Sequence, residues 1–174
     1  LGTVDWPPIS HAAFYGHLEI VKMLVEHGAG VEERNESTWT PLFCAAESNN
    51  MEGAKDLLEQ GADVNAKEHF FGQTALHYTA YVGHIEMAKL LIDNGIDVNV
   101  SGDRYGTALN IAANQGKSIY MLELVTYGGA TIDDDLIDFS GSYLDPISDK
   151  VLTKDVNENP LARRRRNSGM IIST

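Results

Sequence analysis

The chain has a single cysteine, Cys44, in 174 residues. An internal disulfide and the paired-cysteine zinc motifs are therefore excluded, and a reducing compartment is expected, the cytoplasm first. Long apolar runs are also missing. No stretch approaches the roughly 20 residues a helix needs to cross a bilayer, and no basic-then-apolar leader opens the chain. No membrane partner is expected. The triplet Asn35-Glu36-Ser37 has the form of a glycosylation sequon, but without a secretory leader it reads as coincidence. The first residue is Leu1 rather than a methionine, which suggests a fragment of a longer protein.

Positive charge is scarce, with 13 Lys and Arg against 25 Asp and Glu and a net charge of −12. All 25 acidic residues but only 9 of the basic ones precede Pro160, which leaves that portion at −16; four arginines and no acid follow it. So acidic a body repels phosphate backbones and attracts basic partners, which argues against nucleic acid. Catalytic signatures are absent as well: there is no GxSxG, no GxxxxGK[ST] and no GxGxxG. The six histidines, His11, His17, His27, His69, His77 and His84, never fall at the i, i+4 spacing of a helical metal site. Asp133-Asp134-Asp135 lacks the glycine-punctuated spacing of a calcium loop and reads as a charged helix start. No enzyme, metal or cofactor is expected.

What the chain does contain is internal self-similarity. Ala12-Ala13, Ala45-Ala46, Thr79-Ala80 and Ala112-Ala113 recur at spacings of 33, 34 and 33. Each pair is followed at a fixed offset by Leu24, Leu57, Leu91 or Leu124, then by Val25, Leu58, Ile92 or Val125. Glycines keep step at Gly28, Gly61, Gly95 and Gly128. Local chemistry accounts for the unit. Thr40 is a good N-cap and Pro41 tolerates the first helical turn, where its missing N–H costs nothing. Thr74 and Thr107 open the next two units in the same way, and the short first helices stop near Gly16, Asn49, Gly83 and Gly116. A second amphipathic helix follows; in HLEIVKMLVEHG, Leu18, Val21, Leu24 and Val25 make its apolar stripe.

This period, with TPLFCAA, TALHYTA and TALNIAA, resembles the ankyrin-repeat family. The resemblance covers about residues 5–132. It implies an all-α solenoid of about four repeats, each a β-turn plus two antiparallel helices, with turns and first helices along a concave side. The array is expected over 1–132 (about 5–32, 33–66, 67–100 and 101–132). Residues 133–159 are read either as a degenerate repeat or as a cap, and 160–174 as a basic, disordered tail. Four departures stand out: Pro7 in place of threonine, Asn49-Asn50 in place of Gly-His, one extra residue in EHFFGQT, and a one-residue shift in YGGATIDD. Phe14, Tyr15 and an apolar second helix make the first unit look internal to a longer array.

The implied function is a non-catalytic protein-interaction module of an adaptor, scaffold or regulatory protein. The alternative is the substrate-targeting part of a larger ligase or kinase. Tyr15, Trp39, Phe70, Tyr78, Tyr81, Arg104 and Tyr105 fall on turns and first helices and are the candidate partner contacts; Phe71 is expected to turn inward. The expected partner is a protein or peptide with basic and apolar elements. By the same analogy Cys44 lies on the concave side, where partial access is expected, and His77 pairs with Thr74. Asn65 and Asn99 match the leucine-to-asparagine pattern that asparaginyl hydroxylases accept, although turn hydrogen bonding explains them without it. In the tail, Arg165-Arg166-Asn167-Ser168 resembles a basophilic kinase site, making Ser168 a candidate for phosphorylation. Arg163 to Arg166 leave nuclear import open.

Overall fold

A computed structural model describes residues 6–103 and 105–131. Eight helices follow in pairs: α1 (Pro8–Tyr15) with α2 (Leu18–Glu26), α3 (Pro41–Glu47) with α4 (Met51–Glu59), α5 (Ala75–Val82) with α6 (Ile85–Asp93), and α7 (Ala108–Asn114) with α8 (Ser118–Thr126). A two-residue antiparallel ladder, β1 (Ser101–Gly102) with β2 (Gly106–Thr107), closes the turn before α7. Among the described residues the other regular elements are all helices.

The first helix of each pair stacks on that of the next, α1 on α3, α3 on α5 and α5 on α7. Small side chains permit this close approach: Ala12, Ala13, Ala45, Ala46, Ala80, Ala112 and Ala113 are all buried. The second helices contribute Val21, Leu57, Met87, Leu91 and Leu124 to the same core.

The departures from the repeat each have a local solution. The left-handed position that ends α1 and α5 is held by Gly16 and Gly83, and after α3 by Asn49, at φ 56°. Asparagine tolerates that region better than most residues, because its short side chain bonds locally. Asn50 then takes over from histidine. Its Nδ2 donates to the Ala13 carbonyl at 2.7 Å, as His84 Nδ1 bonds the Ala46 carbonyl at 3.2 Å one unit later. In the fourth unit the amide of Ala130 bonds Leu124, six residues back, where Ala29, Ala62 and Ile96 each reach back five. The left-handed glycine is accordingly Gly129. Gly128, expected in register with Gly28, Gly61 and Gly95, sits one residue early, against the Leu124 carbonyl.

The turns are stapled to one another along the array. Glu32 accepts from the Asp63 amide at 2.8 Å, Asn65 from the Asp97 amide at 2.8 Å and Asn99 from the Thr131 amide at 2.8 Å. One polar position per unit thus ties each loop to the next. Arg34 donates to the Lys67 carbonyl at 2.9 Å, and the His69 amide donates to Thr38 Oγ1 at 2.8 Å.

Candidate functional site

The face made by the first helices and their turns carries the aromatic candidates. Its organising position is the third residue of each first helix. In the third unit this is His77, whose Nδ1 accepts from the Thr74 amide at 3.1 Å and lies 3.0 Å from Thr74 Oγ1. A ring nitrogen that accepts the amide proton must be unprotonated, so the proton resides on Nε2. That atom is buried without a hydrogen-bond partner, and the backbone of Val100 and Gly106 in the next turn holds the pKa up. Burial outweighs them and lowers the pKa, leaving a neutral ring. The expected Thr74–His77 pair is present.

Asn110 replaces the histidine in the fourth unit, with Oδ1 accepting from the Thr107 amide at 2.8 Å and its hydroxyl at 2.6 Å. In the first unit Ser10 reaches the Glu33 carbonyl at 3.4 Å. In the second unit the position is Phe43, which cannot bond. Its ring instead stacks on Trp39 at 4.7 Å and meets Tyr78 at 5.8 Å.

That substitution seeds an aromatic strip. Trp39 also meets Tyr78 edge-on at 5.7 Å, and Tyr78 meets Tyr81 at 6.3 Å. Beyond them a groove of about 270 Å³ is lined by Gln73, His77, Tyr78, Tyr81, Tyr105, Ile111, Asn114 and Gln115. Phe71 closes edge-on against Tyr105 at 6.2 Å. Trp39 is half-buried against the core, whereas Tyr81 is 55% and Tyr105 45% exposed. Tyr78 donates its hydroxyl to Glu47 Oε1 at 3.0 Å. Burial together with that carboxylate pushes the phenol up to about 12, and burial raises the Glu47 carboxyl despite the bond.

Of the sequence candidates, then, Trp39, Tyr78, Tyr81 and Tyr105 come together. Tyr15 lies in a separate cluster with His11, Phe14 and His17. Phe70 is 63% exposed at its turn, and Phe71, expected inward, is 39% exposed. The extra residue is absorbed by Glu68 instead. Its buried carboxylate accepts from the amides of Phe70, Phe71 and Gln73 at 2.7, 2.6 and 3.0 Å. Arg104 and Ser168 lie outside the described residues.

Three further expectations meet the geometry. Cys44 is fully buried rather than partly accessible, and desolvation, reinforced by the Glu47 charge, pushes its thiol up to about 12. Asn65 and Asn99 are exposed but engaged, each side chain bridging to the next loop. Asn35 of the sequon is buried, with Oδ1 taken by the Trp39 amide at 3.0 Å. Sequence reading missed the partners Phe43 and Glu47. The phenylalanine in TPLF where TALH has histidine was the available signal.

Among the described residues, no three His, Cys, Asp or Glu side chains group to hold a metal. A family model described as ankyrin repeats (3 copies) matches residues 2–68 and again 66–135. No curated protein matches the chain.

Proposed function

This chain belongs to the ankyrin-repeat family, a non-catalytic protein-interaction module, and we propose that its partner docks on the aromatic strip along the first helices. The four helix pairs are read as four repeats, each introduced by its own β-turn, with the strip on the concave side. Tyr81 and Tyr105 are the contact residues, Trp39 and Tyr78 their backing, and Phe70 a contact at the rim. Tyr15 belongs to a second, smaller patch. The buried thiol of Cys44 suits a reducing compartment such as the cytoplasm.

The observation that carries this reading is continuity. Rings of three successive units touch or face one groove, and the outermost two remain about half exposed. Aromatic side chains with a packed inner part and an open outer part are the usual anchors of protein interfaces. Hydrogen–deuterium exchange tests it: a partner captured by the full chain should slow amide exchange in α5 and in the 101–107 hairpin. Protection confined to α2, α4 and α6 would place the interface on the opposite face.

A further inference from the structure

We propose that the groove between Tyr78, Tyr81 and Tyr105 is a site for an arginine side chain of the partner protein, with Glu47 as its counter-charge. The proposal rests on the docking reading above and names the group that enters. The groove is small. At about 270 Å³ it falls below the roughly 300–1,000 Å³ of drug-sized pockets, which suits one extended side chain. Its walls are phenol rings, whose faces attract cations and stack on a flat guanidinium. The remaining polar lining, Gln73, Asn114 and Gln115, offers amide oxygens to a donor fork.

Among the described residues, no lining residue is a lysine or arginine. His77 is held neutral by burial, and its Nδ1 is committed to Thr74. Glu47 stands at the Tyr78 hydroxyl, and a carboxylate accepts more than one donor. A purely apolar side chain would fill the rings but make no use of those amides or of the carboxylate's remaining acceptor capacity. Lysine is a poorer match than arginine, because its compact, strongly hydrated ammonium cannot stack or fork. The portion of the chain before Pro160, at −16, favours a cationic partner at longer range.

The test titrates the full chain with three labelled peptides of alternating glycine with arginine, lysine or citrulline, the last a neutral isostere of arginine. The arginine peptide should bind at least about fivefold more tightly than the lysine peptide, with citrulline weakest. Tyr81→Ala and Glu47→Gln should each weaken it by about fivefold or more, while Tyr81→Phe, which keeps the ring, should bind like wild type. Glu86→Gln, on α6, controls for general charge attraction. Equal binding of arginine and lysine peptides, or equal effects of Glu47→Gln and Glu86→Gln, would overturn the site.

Replacing Arg163, Arg164, Arg165 and Arg166 together with alanine tests the source of the arginine. Unchanged affinity supports a partner; a severalfold rise would show that the chain's own tail fills the groove and would overturn the partner assignment. If no peptide binds while a captured protein still protects α5 from exchange, the arginine site falls and the docking face stands.

Discussion

The hydroxyls of Thr79 on α5 and Tyr120 on α8 lie 2.6 Å apart, both buried between the third and fourth helix pairs. Thr79 stands where the other three units have alanine, at 12, 45 and 112. Its hydroxyl donates to the Leu76 carbonyl at 2.9 Å, and Tyr120 reaches the same carbonyl at 3.3 Å. A polar atom in an alanine row is thus matched by a polar atom from the next unit. Tyr120→Phe should cost about 1 kcal/mol, the usual net worth of one such bond. Adding Thr79→Ala to it should cost less than Thr79→Ala does alone, because the bond between the two hydroxyls is already gone. Urea melts of the single and double variants measure the coupling, and fully additive losses would count against it.

Cys44 should be chemically silent in the folded chain. Its thiol is buried and held near 12, and the thiolate is the reactive form. A thiol reagent at pH 8 should label it only as fast as the array opens, with the rate rising steeply in denaturant. Rapid stoichiometric labelling in native buffer would contradict the burial.

Asp56 on α4 is 7% exposed, with Lys22 3.9 Å from Oδ1 and Oδ2 without a partner. Desolvation raises its pKa more than Lys22 lowers it. A carboxyl whose folded pKa lies above its unfolded value favours folding when protonated. That contribution is full below the unfolded value, about 3.9, and is lost as pH rises through the folded one. Asp56→Asn should therefore raise the melting temperature at pH 7, and the gain should disappear near pH 3. A loss of stability at pH 7 would mean that the Lys22 pair outweighs the burial.

Gly53 tests the substitution of Asn50 for histidine. A Cβ at Gly53 would collide with Asn50 Nδ2, the atom bonded to the Ala13 carbonyl. Alanine normally stabilises a helix interior by about 1 kcal/mol over glycine. Here Gly53→Ala should destabilise instead, because Asn50 must leave its bond. Chemical denaturation decides the sign.

The repeat was legible in the sequence because the Ala pairs, leucines and threonine caps report local chemistry at a fixed period. The aromatic face was legible only in part. Tyr81 and Tyr105 were placed correctly as exposed first-helix and turn residues, but Trp39 was expected at an open turn tip. Its burial depends on Phe43, which stacks on it from the helix position that His77 holds in the next unit. Phe71 was expected inward to absorb the extra turn residue, a task that Glu68 performs through three backbone amides. Both misses are contacts between side chains that the repeat pattern does not encode. The one-residue shift of the fourth unit was visible, whereas the transfer of the left-handed turn from Gly128 to Gly129 required the backbone.

The most direct measurement is a calorimetric titration of the captured partner against Tyr81→Ala, paired with a thermal melt and with Leu91→Ala as the core control. Tyr81 is over half exposed and Leu91 fully buried. The account predicts that Tyr81→Ala loses about 2 kcal/mol or more of binding energy while melting like wild type, and that Leu91→Ala loses about 2–5 kcal/mol of stability. Normal partner binding by Tyr81→Ala would contradict the assignment of the first-helix strip as the interaction face.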